Sequence, residues 1–282
     1  FFLITTACRR RVLTEEEASA MENRNNTGVM LNAETMRLGN FFGNVSSNEI
    51  LINVQGGPFT ELKTNDLKDL LTETDKDNNF FIFNLHQTQT LEPEEFTTNI
   101  TFDEAKVNNQ RSVDLLKAVI EYFKAQDRKV YVLGTGFGVY LVQELLVREG
   151  PNLADHYLLM GGRLDMPEIV WQSFSEGNTG GFINGTTPFT GAPSTLTTTE
   201  ENLNRLLAGL AFKRYTVELA KYNDLTNVTY CYGLGDEQFG RLTQNERALL
   251  ITRRANLLES DGGHEEAIQT LLDEGFEVAF GE

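Results

Sequence analysis

One stretch constrains this chain more than any other: residues 129–145, KVYVLGTGFGVYLVQEL. Val130, Tyr131, Val132 and Leu133 make a short apolar run of strand-favouring residues. Beyond the glycines, Val139, Leu141, Val142, Leu145 and Leu146 recur at helical spacing. Between them stand Gly134, Gly136 and Gly138. A strand, then Gly-x-residue-x-Gly, then a helix is the context of a nucleophile elbow, where the middle residue is held on a sharp turn with its side chain exposed. That residue is usually serine. Here it is Gly136, so the turn is expected without its hydroxyl.

The rest of the chain supplies a frame for such a turn. Apolar runs of strand length occur at residues 50–54, 80–85, 157–160 and 228–232, with a short last one at 255–258. Helical patterns separate them at 62–71, 101–126, 244–254 and 265–274; Thr101 and Glu104 have capping-box spacing. Near-continuously apolar strands alternating with helices predict an α/β chain whose mostly parallel central sheet is covered on both faces. Residues 28–31 and 36–42 read as a hairpin or two edge strands, and 86–99 as an acidic loop.

Residues 166–225 interrupt the alternation. Residues 177–199 are dense in Gly, Thr, Pro and Asn, and 200–221 read as a helix capped by Thr198 or Thr199. Such an insertion predicts a helical lid over the strand ends, where ligands bind in sheets of this kind. The expected organisation is a tether at 1–26, a core at 27–165 and 226–282, and a lid at 166–225.

Composition excludes some functions. A net charge of -17 disfavours binding to nucleic acid or to anionic membrane surfaces. Asp75 and Asp77 begin something like a calcium loop, but Phe80 and His86 stand where its glycine and glutamate belong, so no metal site is expected. Two cysteines, Cys8 and Cys231, can build neither a metal cluster nor a disulfide framework. Cys231 lies in an apolar run and reads as a core residue. The first residues, FFLITTAC, resemble the end of a bacterial lipobox, with Ala7 before a Cys8 that would carry lipid. That reading implies attachment to the cell envelope through Cys8; without it the chain reads as cytoplasmic.

Four features then fall in a meaningful order: Gln55-Gly56-Gly57-Pro58 after one strand, the Gly136 turn, Asp236 after a late strand, and Gly262-Gly263-His264 after the last. In this set and order the chain resembles the α/β-hydrolase superfamily over about residues 27–280, and its insertion is similar to that of the prolyl-aminopeptidase-like branch. The resemblance implies that His264 is the general base and that Asp236 fixes its tautomer. It implies oxyanion donors at the backbone of Phe137 and of Gly57 or Phe59, a pocket lined by Gln55, Gly56, Thr135 and Trp171, and no cofactor. Gly136 takes the nucleophile position with nothing to attack with, and the neighbouring Thr135 points elsewhere on so sharp a turn. The expected function is binding of a small molecule or peptide without efficient turnover. Alternatives are an active hydrolase of aminopeptidase or esterase type, in which Asp236 and His264 activate water or the serine has been exchanged for glycine, and a lipid-anchored scaffold.

Overall fold

The computed structural model describes residues 29–281 apart from 75, 77 and 192–195. Its strands are β1 (Gly39–Gly43), β2 (Glu49–Val54), β3 (Phe81–Leu85), β4 (Lys129–Thr135), β5 (His156–Met160), β6 (Gly180–Ile183), β7 (Thr187–Thr190), β8 (Val228–Gly233) and β9 (Asn256–Ser260). Seven of them form one sheet in the order β1-β3-β2-β4-β5-β8-β9, and β6 and β7 form a separate hairpin. All pairings in the large sheet are parallel except that of the edge strand β1 with β3. The mostly parallel sheet expected from the apolar runs is therefore present.

The period-two alternation of side chains divides the core. Ile50, Ile52, Val130 and Val132 face one cluster with Val113, Leu116 and Val139, which come from α3 (Phe102–Lys124) and α4 (Phe137–Glu149). Leu51, Tyr131 and Leu133 face the other with Leu67 and Leu71 of α1 (Thr64–Glu73) and Leu272 and Phe276 of α9 (His264–Phe280). Helices thus cover both faces, which is why β3 and β8 are buried along their whole length.

Three expectations are corrected. Of the two runs near the start, only 39–43 forms a strand; Val29 instead donates one backbone hydrogen bond to Val45 (2.9 Å). Residues 86–99 are not a plain loop. They contain α2 (Thr88–Leu91) and a 3-10 turn (Pro93–Thr97) that buries Phe96 completely. Gln87, Thr88, Gln89 and Thr90 are buried with their polar groups partnered: the Thr88 hydroxyl donates to the carbonyl of Asn108, and its N–H donates to Ser112 Oγ (both 2.9 Å). The last helix runs on to Phe280, where Phe276 and Phe280 pack edge-on against Phe80.

The insertion is also more than helix. It holds α5 (Glu168–Ser175), the β6–β7 hairpin, α6 (Thr198–Ala211) and α7 (Tyr215–Glu218). The cap of α6 is Thr197, whose side chain accepts from Glu200 N. Asn202 ties α6 to the preceding core: its amide donates to the carbonyls of Phe96 (3.0 Å) and Thr98 (2.6 Å), and its oxygen accepts from Ile100 N (3.0 Å). Phe182 N of the hairpin donates to Glu237 O, and Arg241 N donates back to Gly185 O (both 2.9 Å). The hairpin is therefore seated on the loop that follows β8. No helix among the described residues is long and apolar enough to cross a membrane.

Candidate active site

The site is built from loop ends at one edge of the sheet. β4 stops at Thr135 and α4 begins at Phe137, leaving Gly136 alone in the turn with φ 49° and ψ -114°. Few side-chain-bearing residues adopt that backbone, and strain of this kind is characteristic of an elbow. The turn is sharp enough to drive α4 close to β2: a Cβ on Gly138 would lie 2.0 Å from the carbonyl oxygen of Val54. Glycine is obligatory there.

The direction in which Gly136 would carry a side chain is decisive. A Cβ at that position would lie 3.3 Å from His264 Nε2, 3.5 Å from Phe239 Cε2 and 3.6 Å from Gly56 Cα. Three separate loops therefore converge on the place of one absent side chain.

His264 opens α9, with its Nδ1 2.8 Å from Asp236 Oδ2. Asp236 is 1% exposed, and its other oxygen accepts from the backbone N–H groups of Gln238 (2.8 Å) and Phe239 (2.9 Å). Both carboxylate oxygens are held, so the carboxylate cannot swing away from the ring. A proton on Nδ1 directed at Asp236 leaves the Nε2 lone pair facing Gly136. Phe239 packs against the imidazole, ring centroids 5.2 Å apart and tilted by 46°. Gly161, at the end of β5, makes room for the ring: a Cβ there would lie 2.7 Å from His264 Cε1. Gly161 and Phe239 are site residues that sequence reasoning missed. The glycine pair after the 157–160 strand was the one available signal.

The loop after β2 abuts the elbow through Gly56, whose Cβ would meet the Thr135 carbonyl at 3.3 Å and Thr135 Oγ1 at 3.4 Å. Thr135 therefore sits on the Gly56 side of the turn. Gly57 takes φ 111°, and its bond to Pro58 is cis. Phe59 is 45% exposed, with Lys63 Nζ 5.7 Å from its ring centre. Phe137 N is one of the first N–H groups of α4, which have no partner within the helix.

Two of the expected pocket residues do other work. The side chain of Gln55 donates to Glu61 O (2.9 Å) and accepts from Lys63 N (2.8 Å), and its backbone carbonyl accepts from Gln87 Nε2 (2.8 Å). It clasps the 56–63 loop. Trp171 stacks on Phe102 (6.3 Å, 16°) and meets Phe212 edge-on (6.3 Å), so it belongs to the seam between the insertion and the start of α3. Cys8 lies outside the described residues. Cys231 is a buried free thiol, and burial pushes its pKa well above the usual range. Among the described residues no group of three or more His, Cys, Asp or Glu side chains could hold a metal ion.

Known structures share this arrangement of strands and helices. An α/β hydrolase from a Medee basin deep-sea metagenome library superposes with a TM-score of 0.54 at 13% identity, covering 86% of this chain and 93% of that one. The chain has the α/β-hydrolase fold. A lipase-esterase related protein from Clostridium acetobutylicum (TM-score 0.53, 14% identity, 86% of this chain and 97% of that one) and MenH from S. aureus (0.52, 12%, 85% and 98%) share it. No protein-family model matches the sequence, and no curated protein matches it. In this α/β-hydrolase fold, Gly136, Asp236 and His264 follow β4, β8 and β9 in chain order. At the turn after β4, a residue without a side chain, Gly136, faces the Nε2 of His264.

Proposed function

We propose that this chain is an α/β-hydrolase-fold protein that binds a small molecule or peptide at the elbow and does not pass through an acyl-enzyme. One observation carries the proposal: the absent side chain of Gly136 points at His264 Nε2 from 3.3 Å. Removing the nucleophile from such a unit removes nearly all of its rate, leaving what binding and oxyanion stabilisation supply. The retained 2.8 Å contact of His264 with Asp236 supports a second reading, in which the pair takes a proton from a bound water or from an acidic group of the ligand.

Restoring the hydroxyl tests the first reading. Gly136→Ser is expected to react with a fluorophosphonate probe while the wild type stays unlabelled. An unlabelled Gly136→Ser protein of unchanged stability would mean that the oxyanion geometry does not support attack. Assays with p-nitrophenyl esters and prolyl amides separate the readings: wild-type turnover abolished by His264→Ala establishes the second and removes the first.

A further inference from the structure

The structure holds a concavity away from Gly136 and His264. It lies between the β6–β7 hairpin, the loop after β8, and α8 (Gln244–Thr252), with a volume of about 870 Å³. That is within the range of small-molecule sites, roughly 300–1,000 Å³. Gly136, Asp236 and His264 take no part in its lining. Its apolar wall comes from Phe182, Leu234, Leu242 and Ile251, the last 60% exposed. Charge in the lining is cationic in excess: three arginines face a single carboxylate, in a chain whose net charge is -17.

Two of those arginines are committed. Arg163 is buried, bonded to Glu246 (3.1 Å), with its guanidinium 5.1 Å from the Phe182 ring centre. Arg247 reaches Glu259 (3.3 Å), and that carboxylate also accepts the Tyr232 hydroxyl (2.5 Å). Arg241 is exposed and has no ion-pair partner among the described residues. Its main chain is nevertheless fixed, because its N–H donates to Gly185 O at 2.9 Å. A guanidinium on a pinned backbone beside an apolar wall suits an anion carried on an apolar body.

We propose that this groove binds a small amphipathic anion, a carboxylate or sulfonate on an aromatic or aliphatic body. Arg241 meets the charge, and Phe182, Leu234, Leu242 and Ile251 cover the apolar part. The site is independent of the elbow.

Fluorescence titration with 8-anilinonaphthalene-1-sulfonate, and with the uncharged N-phenyl-1-naphthylamine, tests this on the folded full chain. Saturable sulfonate binding is expected, weakened about tenfold or more by Arg241→Gln, as loss of a charge-assisted contact predicts. Arg241→Lys should retain most of the affinity, and binding of the neutral dye should change less than twofold in either variant. Gly136→Ser carrying a fluorophosphonate should bind the sulfonate like the wild type. Equal sulfonate affinity in wild type and Arg241→Gln would overturn the proposal. So would loss of binding on fluorophosphonate labelling, which would place the dye at the elbow. Binding of a short polyglutamate peptide in place of the dye would also overturn it, in favour of a protein partner.

Discussion

At the scale of single residues, the site depends on what is missing at three glycines. Gly136 brings no side chain to the turn that faces His264, Gly138 lets α4 approach β2, and Gly161 leaves space for the imidazole. Adding a methyl at 161, where φ is 66°, would force the His264 ring away from the elbow. Gly161→Ala introduced into the Gly136→Ser protein is therefore expected to slow fluorophosphonate labelling by about tenfold or more, since small displacements of reacting groups cost on that order. Asp236→Asn in the same background should slow it much further, by about 10³–10⁴-fold, because an amide can hold the wrong imidazole tautomer. Labelling rates at matched probe concentration measure both. Equal rates for Gly136→Ser with and without Asp236→Asn would show that the pair does not act as a unit.

Among secondary-structure elements, α8 shows how one carboxylate can serve two roles. Glu246 forms the capping box with Thr243, and it also accepts from Leu164 N (3.0 Å), Asp165 N (2.8 Å) and Arg163 (3.1 Å). Both members of the Arg163–Glu246 pair are almost wholly buried. Glu246→Ala strands the guanidinium inside the protein and is expected to cost about 3–5 kcal/mol. The exposed capping box of α3 offers the contrast: Thr101→Ala removes a cap alone and should cost about 1 kcal/mol. Urea denaturation of the two variants compares them directly, and equal losses would mean that the buried pair contributes nothing beyond its cap. Helix caps of this kind were legible from Thr-x-x-Glu spacing at 101. The buried partners of Glu246 were not, because Arg163 is remote in sequence and lies outside any local pattern.

For the molecule as a whole, tyrosine burial sets an alkaline limit. Burial, before any nearby charge, raises the pKa of Tyr140, Tyr157, Tyr215, Tyr230 and Tyr232 above the ordinary 10.0. The neutral phenol is the form the fold accommodates. Its contribution is complete below pH 10 and is lost as pH rises through the folded-state values. The unfolding midpoint in urea should therefore hold up to about pH 10 and fall beyond it, with these phenols ionising as the chain unfolds. Separate, early ionisation without unfolding, followed by absorbance at 295 nm, would contradict it.

By itself the sequence determined the strands of the large sheet, most of the helices and the glycine turn. These follow from side-chain periodicity and backbone sterics, which act within a few residues. It also placed Asp236 and His264 after the last two strands, which they follow. Only the tertiary structure decided that Gln87 to Thr90 are built into the core, that the insertion carries a hairpin, that Gln55 clasps the 56–63 loop and that Trp171 stacks on Phe102. Each outcome depends on a polar or aromatic group finding a partner remote in the chain, which no local pattern encodes. The same holds for Gly136: its missing side chain was plain in the sequence, but that it would face His264 is a consequence of parallel strand register bringing loop ends together.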